Sequence, residues 1–293
     1  MPKKPFVVLI LVGMTGCGTA PPASQVPNAR AALDRLHATQ DCGLGIQASA
    51  KIDHFGKGGR IRGDIAMTAL WPERIRMEVI GPMNSAVIAT LTSDGKKFAL
   101  EDKREHKFLF GEAKACNIAR LTTVPMPGHV LVSLLRGETP VLKHEASAET
   151  MVWSKSGYYV IKVQGANATE QEIHIAPHPS DFGLPWDKQR MRVVDVEVKQ
   201  QGVVLYHAEL DDHRPSAMAG ARVDPDNIDP PIPPSGPMCV AELPRRIHVE
   251  VPALKQDVQF RYDEVKWNPA IYDGLFTQPI AGGLQVQRVT CDD

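Results

Sequence analysis

The chain has 293 residues, 43% of them hydrophobic, and its 33 Lys+Arg nearly cancel 34 Asp+Glu, leaving a formal charge of -1. There is no long basic cluster, so no nucleic-acid partner is expected. No apolar run after the N-terminus approaches the length of a membrane-spanning helix, and nothing in the composition implies a cofactor.

Lys3 and Lys4 precede the apolar run Pro5–Met14, which ends at Thr15-Gly16-Cys17. This pattern reads as a secretory signal over residues 1–16. Its end resembles the bacterial lipobox, in which cleavage before a cysteine leaves that cysteine acylated; Met14 departs from the usual Leu, Val or Ile. The resemblance implies lipidation at Cys17. Gly18 stands where lipoproteins retained in the inner membrane often carry Asp, so the implied location is the outer membrane, facing the periplasm. Residues 17–27 are small, polar and proline-rich, as a flexible tether would be. Residues 28–293 then read as a single domain.

Asn28 is suited to cap a helix over 29–39, with Ala32, Leu33 and Leu36 on one face. The period then changes to two. Leu44, Ile46, Ala48, Ala50 and Ile52 alternate with other residues, as do Ile61, Gly63, Ile65, Met67 and Ala69 after the turn at Gly56–Gly59. Trp71-Pro72-Glu73 marks the next turn, followed by strands at 74–80 and 86–92 around Gly81-Pro82-Met83-Asn84-Ser85. Turn chemistry accounts for that connection except for Met83, an apolar residue where the chain should meet solvent. Asp94-Gly95 signals another hairpin, and strands at 98–102 and 107–111 continue the meander.

Two helical stretches interrupt it, 112–123 and 127–137, the second rich in leucine. Strands resume at 149–153, 158–164, 171–175, 189–199 and 203–210. Residues 214–238 form a Pro-rich loop. Strands at 246–251 and 257–265 precede an extended tail.

The expected fold is therefore mainly β: an incomplete, strongly curved antiparallel barrel, with helices covering an apolar opening. Ile65, Met67, Ile75, Met77, Val79, Val87, Ala89, Leu91, Leu131 and Leu135 are the candidate walls of an apolar cavity. Cys42, Cys116, Cys239 and Cys291 are even in number in an exported chain, which favours disulfides over metal. Three connectivities are open. We expect Cys42–Cys116 with Cys239–Cys291, each pair joining segments within one half of the chain.

Catalytic patterns fare poorly. Ser93-x-x-Lys96 sits on a hairpin turn, whereas the serine acyl-enzyme motif opens a helix. His174-x-x-x-His178 has ligand-like spacing broken by Pro177. His207 with Asp211, Asp212 and His213 reads as a solvated strand end rather than a metal site. No catalytic or metal site is expected.

The segment 81–140 resembles the outer-membrane lipoprotein receptor family of the Lol sorting system (LolB). The likeness is carried, in order, by Gly81-Pro-Met-Asn-Ser85, the Asp94-Gly95 turn, Pro125-Met-Pro127, Leu134-Leu-Arg-Gly137 and Pro140. The tail Trp267-Asn-Pro-Ala-Ile-Tyr-Asp-Gly-Leu-Phe276 is similar to the C-terminus of related LolA/LolB-like lipoproteins. The region after Pro140 is much longer than in LolB, and the additional cysteines depart from that family's pattern.

The resemblance implies a non-enzymatic lipid-binding protein. Its expected partners are acylated lipoproteins or lipid, a periplasmic LolA-like carrier, and the outer membrane through its anchor. Met83 occupies the place of an apolar residue that enters the membrane in that family. Two other readings differ in class: an envelope sensor or assembly factor that binds lipoproteins without sorting them, and a hydrolase, which lacks a nucleophile–base pair in the sequence.

Overall fold

The computed structural model describes residues 18–56, 59–82, 86–226, 228–272, 274–280 and 282–291. Cys17 and Met83 lie outside the described residues.

Helix α1 (Ala29–Gln40) begins where Asn28 accepts the Ala31 amide at 2.9 Å, and its Ala32, Leu33 and Leu36 are buried. Strands β1 (Gly45–Gly56), β2 (Gly59–Leu70), β3 (Arg74–Ile80), β4 (Val87–Ser93), β5 (Lys97–Asp102) and β6 (Lys107–Glu112) form an antiparallel meander. Gly95, with φ of 91°, lets the β4–β5 turn close. Helices α2 (Ala115–Thr122) and α3 (Gly128–Leu135) follow.

A second meander comprises β7 (His144–Trp153), β8 (Tyr159–Gly165), β9 (Thr169–Pro177), β10 (Met191–Gln200), β11 (Val203–Met218), β12 (Ala241–Val251) and β13 (Gln256–Trp267). β13 returns to pair with β1, so both meanders become one sheet of 14 strands with β1–β13 at the seam. β14 (Gln285–Arg288), within the tail expected to be extended, adds in parallel to β6.

This sheet is mainly antiparallel but open: its edge strands β7 and β14 do not pair with each other. The expected barrel, strongly curved, is corrected to an open sheet that does not curl strongly. Helices do the covering that closure would otherwise do. α1 packs on β7 and β10, α2 on β4 and β5, and α3 on β2 and β3, burying one continuous core from both halves. On the opposite face the tail folds back, setting Leu275 and Phe276 against Leu70.

The disulfides join Cys42 to Cys239 and Cys116 to Cys291, with Cα separations of 5.8 and 5.6 Å. The expected pairing within halves is therefore overturned. The seam brings the start of β1 beside the approach to β12, and β14 carries Cys291 back to α2. Asn268, fully buried, binds the same junction, donating to the carbonyls of Cys42 (2.7 Å) and Pro237 (3.0 Å).

Two segment boundaries also change. The Pro-rich loop expected at 214–238 begins later, because β11 continues to Met218, paired with β12 and then β13. The described part of the expected flexible tether, residues 18–27, is docked. The Thr19 amide donates to Lys155 O at 2.8 Å, and Trp153 Nε1 donates to Thr19 O at 3.1 Å. The Val26 amide donates to the Tyr159 hydroxyl, and Gln189 Nε2 donates to Ser24 O. Proline and small residues make this segment extended, and extended backbone finds partners on a neighbouring hairpin.

Candidate functional site

Nine of the ten expected cavity walls come together in one core. Met67 pairs across from Met77, which opposes Leu91; Ile65 opposes Val79, which opposes Ala89; and Ile75 opposes Ala69. Leu131 and Leu135 of α3 lie fully buried in the same core. Val87 falls out of line, because a bulge between Val79 and Ile80 shifts the register. The nine side chains belong to one continuous hydrophobic core. Among them Met67 also lines a cleft that is polar.

An apolar groove of about 630 Å³ lies elsewhere, at one end of the second meander. Its first wall is the start of α3, with Met126, Pro127 and Val130. Pro127 sets the helix entry and Gly137, with φ of 80°, its exit. The far end is fixed by the Tyr262 hydroxyl, which donates to Leu135 O at 2.7 Å. Arg136 donates to Gly43 O (2.8 Å) and to Glu138 (2.7 Å), all buried. Burial pushes the Glu138 carboxyl up to about 8, against the pull of Arg136.

The second wall is the extended stretch Pro140–Lys143. Buried Gln171 straps it, accepting from the Leu142 amide and donating to Pro140 O, both at 2.8 Å. The third wall is Val198, Val204, Leu205 and Tyr206 with the end of β12 and Leu254. Here Val198 opposes Tyr206 and Lys199 opposes Val204, so Leu205 is an extra, bulged residue. The bulge lets neighbouring Val204 and Leu205 both reach the groove, which strict alternation forbids.

Burial pushes the Tyr206 phenol up to about 12, so it stays a neutral polar group beside Thr139. At the rim, Val203, Leu205 and Leu254 are 54%, 42% and 44% exposed, so the groove opens onto apolar surface. Such an arrangement holds flexible hydrocarbon, with Lys143 available at the edge for an acidic head group. The uninterrupted apolar run Val203-Val-Leu-Tyr206 was the signal for this wall in the sequence.

The polar cleft, about 680 Å³, lies on the outer face beneath the returning tail. Arg76 Nε donates to Glu78 at 2.9 Å, Lys266 pairs with Glu264 at 3.2 Å, and Arg222 lies over the Tyr272 ring at 5.1 Å. It offers an acyl chain little.

Ser93 is fully buried and accepts from the Gly95 amide, while Asp94 accepts from the Lys96 and Lys97 amides, as a turn requires. His174 and His178 go to different partners, Glu172 (2.8 Å) and Glu242 (3.0 Å). His178 also meets Ser180 Oγ at 2.6 Å, a serine–histidine–glutamate sequence of contacts that sequence spacing did not reveal. That hydroxyl is simultaneously held by Arg190 and Asp181, both at 2.9 Å, which ties it into an ion-paired turn. His207 faces Asp195 at 2.7 Å rather than Asp211 and Asp212, and this hydrogen bond holds its imidazole up to about 9. Asp212, with φ of 56°, breaks the alternation of β11 and sends His213 toward the interior.

No family model matches the sequence, and no curated relative does. Among solved structures, the chain is similar to a DUF1329 family protein from Desulfovibrio piger, with TM-score 0.51 and 8% identity over 85% of this chain and 97% of that one. At that identity the likeness is one of fold alone. Two further superpositions are weaker. One is on a LolA superfamily protein from Nitrosomonas europaea (TM-score 0.46, 11% identity, 84% and 97% covered). Another is on a domain described as an outer membrane lipoprotein-sorting protein from Vibrio parahaemolyticus (TM-score 0.43, 8% identity, 85% and 97% covered).

Proposed function

We propose that this protein is an envelope lipoprotein that binds the acyl chains of other lipoproteins, or lipid, in the groove between α3 and the β10–β11 hairpin, and delivers them to the outer membrane. The observation that carries this reading is the groove itself: apolar walls, an apolar rim and a volume of about 630 Å³. Each buried methylene contributes about 0.8 kcal/mol. A one-sided groove covers only part of a chain, whereas a bilayer covers all of it, so transfer runs downhill to the membrane without catalysis. Disulfides agree with an oxidising compartment such as the periplasm.

In this reading Cys17 carries the anchor, a periplasmic LolA-like carrier is the donor, and Met83 touches the bilayer. Cys17→Ser then leaves an unprocessed or unanchored form, read by membrane fractionation. A fluorescent fatty-acid probe should bind the protein saturably and be displaced by an acylated peptide. Absence of saturable binding overturns the lipid-binding reading. Depletion in cells separates delivery from sensing, since loss of a delivery receptor strands lipoproteins upstream.

A further inference from the structure

Across the outer face of β9–β12, three half-buried histidines each stand between two carboxylates. His174 lies between Glu172 (2.8 Å) and Asp195 (3.5 Å), and His207 between Asp195 (2.7 Å) and Glu250 (3.6 Å). His248 lies between Glu209 (3.6 Å) and Asp257 (2.9 Å). Pairing explains the convergence. Asp195 is directly opposite His174 on β9 and Glu209 on β11, while His207 is two residues before Glu209 and so on the same face. A register shift between Val193 and Asp195 turns Asp195 toward this row.

We propose that Asp195, His207 and Glu209 form a binding site for a divalent transition-metal ion of the zinc class. One ligand atom from each of the three lies within 4.8 Å of the others. Imidazole nitrogen with carboxylate oxygen is a donor set that suits zinc, with water completing an open site. The nitrogens facing away from the centre are also partnered: His174 Nε2 meets Glu172 and His207 Nδ1 meets Glu250. Such carboxylate–histidine pairs fix the ring and strengthen the ligand. Tyr158 stacks on His174 with centroids 4.6 Å apart, which further limits that ring.

Charge favours the same conclusion. Lys162 already pairs with Glu172, and Lys199 with Glu197. Among the described residues, Asp195, Glu209, Glu250 and Asp257 have ion-pair contacts with histidines alone, and with no lysine or arginine. The ion would clamp β10 to β11 within the hairpin that forms the third groove wall.

The test is a titration of the purified full chain with Co²⁺, read by its visible d–d absorption, followed by displacement with Zn²⁺. A saturable band at one ion per chain is expected, with a rise in thermal midpoint on Zn²⁺ addition. His207→Ala and Asp195→Asn should each weaken Co²⁺ binding more than about tenfold, while His37→Ala, at an exposed position on α1, retains it. These side chains are on the solvent-facing surface, and circular dichroism reports whether each variant folds. No saturable band in the parent protein, or equal loss in His37→Ala and His207→Ala, overturns the assignment.

Discussion

The Tyr262 hydroxyl on β13 donates to the carbonyl of Leu135, 127 residues earlier, at 2.7 Å. Leu135 closes α3, and the last carbonyls of a helix have no partner within it. The phenol supplies one from the neighbouring strand, and burial keeps it un-ionised by raising its pKa well above the usual tyrosine range. Tyr262→Phe leaves that carbonyl buried and unpaired. A loss of about 1–3 kcal/mol is expected, measured as a lower urea midpoint with an unchanged slope.

Val204 is half-buried in the groove wall beside the bulged Leu205. Val204→Trp should occupy the space that hydrocarbon would take, without loading the hydrophobic core. Probe affinity is expected to fall at least about tenfold, which corresponds to 1.4 kcal/mol, with the unfolding midpoint nearly unchanged. Equal affinity in the variant places the lipid elsewhere.

Non-reducing peptide mapping should recover Cys42 with Cys239 and Cys116 with Cys291. Replacing Cys42 and Cys239 together by Ser removes a link across 197 residues. The expected cost is about 2–5 kcal/mol, read by chemical denaturation under oxidising conditions.

His213 gives an acid dependence. Burial, aided by the Arg192 charge, pushes its imidazole down to about 4, and its Nε2 has no hydrogen-bond partner. The unfolded imidazole takes up a proton below about 6.5, the folded one only near 4. Between those values the unfolded chain binds more protons, so stability falls as pH drops through this window. His213→Gln should flatten the denaturation midpoint over that range relative to the parent.

Met83→Glu tests membrane contact. The sequence sets Met83 among turn-forming residues, and a surface turn substitution changes stability by less than about 0.5 kcal/mol, so the variant is expected to fold and still bind an acylated peptide. Release into liposomes should fail. Transfer at the parental rate assigns the contact to another surface, with the apolar rim at Leu205 and Leu254 next in line.

The first meander was legible because its signals are local. Alternation at Ile75, Met77 and Val79, the Asp94-Gly95 turn and the Asn28 cap each act within a few residues. What escaped depends on distant pairing or on broken alternation. The disulfides follow from β1 meeting β13 across most of the chain, which no local pattern encodes. β14 is four exposed residues, without an apolar face to announce it. The groove depends on the Leu205 bulge, and the partnership of His207 with Asp195 depends on the register shift beside Val194. Bulges of this kind redirect side chains while leaving composition unchanged.

The docked N-terminal segment fixes where the molecule can pivot. With Cys17 acylated as proposed, only two residue steps separate the lipid from Thr19, a leash of about 7 Å. Thr19 is fastened to Trp153 and Lys155 at one end of β7, while Lys143 at the groove edge immediately precedes the other end. β7 bulges between His144 and Glu149, so it spans about the length of its partner Tyr159–Gly165, roughly 20 Å, about two-thirds of the hydrocarbon thickness of a bilayer. Under the proposed function, the domain standing upright on that leash would hold the groove off the lipid and open to the periplasm. Cargo would then reach the membrane when the domain lies down along its β7 edge, making loading and unloading two postures of one short-hinged body.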